Sequence, residues 1–212
     1  MALIATASAG ADFKPTPAGV YVARCYRIID LGTQRGEWKG KEKWSRKIMF
    51  SWELFGEDDE GNPLTADDGL PLTMSKRYTL SLGENANLRA DLKSWRGRDF
   101  TPDELNGFDI KNVLGAYCML NVTHDHKDDK VYANVASISP LPSALRANKP
   151  SGVNELAFFD VTDPDKVVFS LLSQKLQDTI QQCKEWNKEP VNTVAAKSHS
   201  GFDDLEDDYV PQ

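Results

Sequence analysis

Apolar residues in this chain fall into short alternating runs more often than into helical stripes, and the runs predict a mainly β fold. The stretch "VYVARCYRIIDL" (residues 20–31) is dense in β-branched and aromatic residues and stops at Gly32, which predicts a first strand. "KIMFSWEL" alternates. Ile48, Phe50, Trp52 and Leu54 share one face while Lys47, Met49, Ser51 and Glu53 share the other, the pattern of a half-buried second strand. Residues 56–71 combine acids with Gly, Asn and Pro and predict a solvated loop. A third strand follows in "LTMSKRYTLSL", where Leu72, Met74, Tyr78, Leu80 and Leu82 alternate with polar residues and only Lys76 breaks the apolar set. The period then lengthens. Leu88, Leu92 and Trp95 recur at helical spacing, so a helix ends near Gly97, and Thr101, Pro102 and Glu104 form the capping-box signature of a second, short helix ending at Gly107. Residues 116–124 and 131–139 flank a polar turn and predict an antiparallel hairpin.

The ends of the chain read differently. Residues 1–18, rich in Ala, Thr and Pro, predict a flexible N-terminal arm. Residues 143–188 open as a linker and continue as a C-terminal helix with Phe169, Leu172, Leu176, Ile180 and Cys183 along one stripe, Asp163 as its cap and Pro164 at its first position. Residues 189–212 hold too little apolar surface to offset ordering and predict a disordered acidic tail. Over residues 19–142 the element order is that of a five-stranded OB-fold barrel with its helix between strands 3 and 4, to which a C-terminal helix is added. In that fold the connection between strands 1 and 2 flanks the ligand groove.

Charge changes the picture, because it is segregated. The 212 residues carry a formal net charge of -7, which by itself argues against a polyanionic partner. Yet residues 14–47 hold nine Lys or Arg against three acids, a local balance of +6, while residues 202–212, "FDDLEDDYVPQ", hold five acids and no base. Within the basic segment, "RGEWKGKEKWSRK" places Trp38 and Trp44 among Arg35, Lys39, Lys41, Lys43, Arg46 and Lys47. Cations track phosphates and flat indole rings stack on bases, so this mixture is what sequence-independent single-strand binding requires. The same residues also fit a charged loop whose rings fold back onto the barrel through cation–π contact. Arg24 and Arg27 in strand 1, Met49 in strand 2, and Lys76 and Arg77 in strand 3 are further candidates for the groove; Lys76 and Arg77 are neighbours and cannot both face it. Tyr78, Trp52 and Trp95 share the apolar parity and are expected in the core.

Other chemistries find little support. Cys25, Cys118 and Cys183 are far apart and without a CxxC pair, which fits buried reduced thiols in a cytoplasmic protein. His124, His126, Asp128 and Asp129 cluster in a polar hairpin tip but lack the fixed spacing of a metal site. There is no P-loop, no GxSxG and no convincing nucleophile, so no cofactor, metal or catalytic residue is expected, and the chain is read as a non-enzyme. No apolar run approaches the roughly 20 residues of a membrane helix, and no Lys or Arg precedes Lys14 as an export signal requires.

The runs "YVARCYRIIDLGTQ", "SKRYTLSLGENANLRADLKSWRGRDFT", "GFDIKNVLGAYCMLNV" and "YANVASISPLP" resemble a family of small bacteriophage single-stranded DNA-binding proteins, over about residues 20–142. The resemblance implies an OB-fold, sequence-independent binding of single-stranded DNA in phage replication or recombination, and a place in the cytoplasm of an infected bacterial host. The acidic tail is similar in kind to those with which bacterial and phage single-strand binding proteins recruit replication partners. Bacterial tails end in Pro-Phe, whereas this one ends Tyr209, Val210, Pro211, Gln212. Within it Phe202, Leu205 and Tyr209 are interleaved with Asp203, Asp204, Glu206, Asp207 and Asp208, a pattern that a basic, partly apolar groove on a partner would recognise. Those acids also suit the protein's own cationic cleft, where they would compete with DNA. The C-terminal helix is available for packing or for self-association. The rival reading is a protein-interaction or virion-associated β-barrel whose basic loop meets an acidic protein.

Overall fold

The computed structural model of the chain describes residues 15–57, 61–128 and 130–186. Its longest elements come from the segment where sequence pattern predicts a strand and then a loop. β1 (Gly19–Trp38) and β2 (Lys41–Phe55) form one continuous antiparallel hairpin, paired from Val22↔Phe55 to Trp38↔Lys41. The turn is only two residues, Lys39 and Gly40, whose φ angles of 51° and 75° are those that a tight, right-twisted hairpin demands. Residues 32–47 are therefore a two-stranded ribbon, and the expected end of β1 at Leu31 is corrected by seven residues. Gly32 does not stop the strand. It sits at a bulge where the register shifts between Asp30 and Gly32, with φ of 69°, and a Cβ there would lie 2.4 Å from Cys183 Sγ.

β3 (Thr73–Thr79), β4 (Tyr117–Lys127) and β5 (Lys130–Pro140) complete an antiparallel sheet of order β3-β2-β1-β4-β5. A sixth strand, β6 (Ala157–Phe159), pairs parallel with Arg27, Ile28 and Ile29 of β1. The protein is thus mainly β, but its sheet has six strands and is not closed into a barrel: among the described residues no ladder joins β3 to β5. Between β3 and β4 lie α1 (Asn87–Arg96), ended by left-handed Gly97, and α2 (Pro102–Asn106). The capping box of α2 is formed, with the Thr101 hydroxyl accepting from the Glu104 amide and the Glu104 carboxylate accepting from the Thr101 amide.

Two apolar clusters lie on opposite faces of the β1–β2 pair. The first packs Ile28, Phe50, Trp52 and Leu54 against Tyr78 and against Leu88, Leu92 and Trp95 of α1, so the three aromatic residues expected in the core are there. The second packs Ile29, Leu31 and Met49 under the C-terminal segment, through Phe159, Val161, Leu172, Leu176 and Ile180. All three cysteines are buried, and burial pushes the Cys25 thiol up to about 12.

The C-terminal segment departs from its expected form in three ways. A short α3 (Ser143–Arg146) is followed by α4 (Lys166–Ser170) and α5 (Gln174–Gln181), so the single predicted helix is two. The cap of α4 is Asp165, whose carboxylate accepts from the amides of Val167 and Val168, in place of Asp163. The linker-like stretch is also built into the fold. Glu53 is fully buried, and it accepts from the amides of Val153 and Asn154 and from the Asn154 side chain while pairing with Arg24 Nε at 2.5 Å. A buried carboxylate demands this satisfaction, and it ties residues 153–154 to the sheet. Part of the expected arm likewise packs down: Thr16 is buried and its carbonyl lies 2.8 Å from His124 Nε2. The remainder of the arm and the acidic tail, Phe202 to Gln212, lie outside the described residues. No helix among the described residues is long and apolar enough to cross a membrane.

Replacing Arg24 by Leu leaves Glu53 buried without its cation, a change that costs roughly 3–5 kcal/mol in comparable pairs. The urea midpoint should fall accordingly; a loss below about 1 kcal/mol would show that the pair does not organise this face.

Candidate nucleic-acid interface

Directly opposed residues of an antiparallel ribbon share a face, and alternate residues along each strand change face. The register Gln34↔Ser45, Gly36↔Lys43 and Trp38↔Lys41 therefore places Trp38, Lys41 and Lys43 together, in line with Lys47 opposite Gly32. The neighbouring pairs Thr33↔Arg46, Arg35↔Trp44 and Glu37↔Glu42 form the other face. The two tryptophans point to opposite sides.

The faces differ in what holds their side chains. On the first, Trp38 is 65% exposed, and Lys39 Nζ lies 6.0 Å from its ring centre. Lys47 Nζ donates to Thr79 Oγ1 at 2.7 Å, and the β2–β3 register carries the face on to Arg77, opposite Met49. Lys39, Lys41, Lys43, Lys47 and Arg77 have no acidic partner among the described residues. Trp38 and these five cations thus form a strip on which the ribbon places no carboxylate of its own; Glu185 stands at its base, beside Gly32.

The second face is internally compensated. Arg35 pairs with Glu42 at 2.7 Å, and Trp44 Nε1 donates to Glu42 Oε1 at 2.6 Å. The Lys184 ammonium sits 3.9 Å from the centre of the Trp44 ring, which is 39% exposed. At the ribbon base Arg46 Nη2 meets buried Asp30 at 2.5 Å and Asp160 at 3.5 Å, and its hydrogen bonds to Asp30 hold the guanidinium above its ordinary pKa. Glu185 accepts from the hydroxyl and amide of Thr33. Burial pushes its carboxyl up, yet those hydrogen bonds outweigh burial and hold it below the usual range.

The remaining predicted residues are engaged elsewhere. Arg24 is paired with Glu53, and its Nη2 donates to the Asn154 carbonyl. Arg27 is half-buried, its guanidinium 5.3 Å from the Tyr26 ring. Met49 is buried beneath the C-terminal segment. Lys76 turns to the α1 side and pairs with Asp91 at 2.7 Å, which leaves Arg77 on the exposed face, as alternation requires. Of the thirteen candidates, Trp38, Lys39, Lys41, Lys43, Lys47 and Arg77 are thus brought together, the five cations without an acidic partner among the described residues. Sequence reasoning missed Thr79, which steadies Lys47, and Lys184, which caps Trp44; no local signal marks a lysine about 140 residues away as the partner of a ring.

No family model matches the chain, and no curated protein matches it.

Lys184 shields one face of Trp44. In a Trp38→Phe background, Lys184→Ala should raise the acrylamide quenching constant of tryptophan emission, and an unchanged constant would show that the contact does not shield the ring.

Proposed function

We propose that this chain is a non-enzymatic, sequence-independent single-stranded DNA-binding protein on an OB-fold, acting in phage DNA replication or recombination in the cytoplasm of an infected bacterial host. Its acidic tail recruits partner proteins. The observation that carries the reading is the strip on which the ribbon places no carboxylate of its own, with Trp38 as its exposed ring and Lys39, Lys41, Lys43, Lys47 and Arg77 as its cations. From Lys41 to Lys47 the strip runs about 20 Å along β2, so a flexible polyanion lies along it with several phosphates in reach at once. A strand with unpaired bases can also lay one on the Trp38 ring, and stacking tolerates any base. The strand order β3-β2-β1-β4-β5, with α1 between β3 and β4, supports the OB assignment, since that fold is a partly open five-stranded sheet that binds at strands 2 and 3 and at the connection between strands 1 and 2.

Five phosphate contacts give a slope of about -3.5 for log affinity against log salt on a single strand, and replacing Lys41 and Lys43 by Gln should reduce it by about 1.4. Trp38→Ala should weaken oligo-dT binding by about 1–3 kcal/mol, whereas Trp44→Ala should cost clearly less. Titrations with oligo-dT, RNA and duplex DNA at two salt concentrations test this. Equal losses for the two tryptophans, or none, would sink the stacking assignment, and preference for duplex would sink the single-strand reading.

A further inference from the structure

A second cationic feature lies away from the ribbon, in a cleft of about 620 Å3 between α2, the start of β4 and the end of β5. Arg96, Arg98, Arg146 and Lys149 line it against a single acid, Glu104. Glu104 is shared by Arg96 and Arg98, so the trio retains one net positive charge, and Arg96 Nη1 is buried with no hydrogen-bond partner among the described residues. Arg146 Nε donates to the Leu141 carbonyl, and Lys149 Nζ rests 5.0 Å from the Tyr117 ring centre. Beneath these cations the walls are apolar, with Phe108, Tyr117 and Leu141 the surfaces an aromatic side chain would meet. The volume is in the range of ordinary ligand sites.

We propose that this cleft is the docking site for the acidic C-terminal segment of the same chain, residues 202–209. The chemistry matches on both counts. Five carboxylates meet three uncompensated positive charges, and Phe202, Leu205 and Tyr209 supply the apolar anchors that a purely ionic contact would lack. Reach is sufficient. The Lys184 amide bonds the Thr33 carbonyl and the Gly115 amide, on the cleft wall, bonds the Cys25 carbonyl. These anchor points are eight residues apart on β1, about 26 Å. The sixteen residues from Trp186 to Phe202 span up to about 55 Å when extended. The ribbon is also cationic, but its lysines stand on an open strand face with one ring and no concave apolar wall. Docking in the cleft leaves the ribbon free, so a partner that takes the tail must displace it from the cleft, whatever is bound at Trp38. The assignment does not rest on the DNA reading.

Amide NMR on the full chain tests it. Exchanging Asp203, Asp204, Asp207 and Asp208 for Asn and Glu206 for Gln should shift the amides of Tyr117, Leu141, Arg146 and Lys149, equally at high and low protein concentration, and leave residues 35–47 unmoved. In the double variant Arg146→Glu, Lys149→Glu, both at exposed positions, the same tail exchange should no longer shift Tyr117 or Leu141. Shifts confined to residues 35–47, shifts that depend on protein concentration, or no shifts would each overturn the proposal.

Discussion

The rest of the molecule depends on the long antiparallel pairing of β1 with β2, which runs from Val22 to Trp38 through register shifts at Cys25/Arg27 and Asp30/Gly32. A ladder has a side-chain period of two, so once the turn at Lys39 and Gly40 sets the register, every residue of the ribbon is assigned to one face. One face receives Trp38 and lysines, the other receives Trp44, Glu37 and Glu42. A slip of one residue in either strand would put acids among the lysines. Register, more than the number of basic residues, keeps the ribbon's own carboxylates off the strip.

The C-terminal segment fixes the base of that ribbon. Gly32 opens the β1 bulge and lets Cys183 approach; Asp30, Asp160 and Arg46 tie β1, the chain after β6 and β2 together; Glu185 holds Thr33 and Lys184 covers Trp44. Charged groups near this junction are partnered and partly buried, which makes them structural. The strip has the opposite character, with cations that have no acidic partner to surrender among the described residues. Binding there carries no penalty for breaking internal ion pairs, so its electrostatics are available to a ligand.

How much of this was legible in the sequence follows from how local each cause is. The α1 stripe, the Thr101–Glu104 box and the parity of Trp52, Tyr78 and Trp95 depend on residues a few positions apart, and all are found as expected. Gly32 read as a terminator because its reason for being glycine, the approach of Cys183, lies about 150 residues away. The Lys39–Gly40 turn was hidden because lysine is a poor marker of a positive-φ position, so a ribbon read as a loop. β6 has three residues and owes its existence to the free edge of β1, which no pattern within it announces. Alternation separated Lys76 from Arg77 in advance, whereas only the register across β1 and β2 separates Trp38 from Trp44.

The net charge of -7 and a cationic strip are compatible because many of the acids lie in other parts of the chain and, within the ribbon, Glu37 and Glu42 are confined to the face of Trp44. The central claim of the proposed function is that single-stranded DNA binds, and that it binds on the face of Trp38 and not on that of Trp44. Ultraviolet cross-linking of the full chain to oligo-dT, with the adduct located by peptide mass spectrometry, tests it most directly. An adduct at Trp38 or its neighbouring lysines is the predicted result; an adduct at Trp44, or none within residues 35–47, would contradict the account.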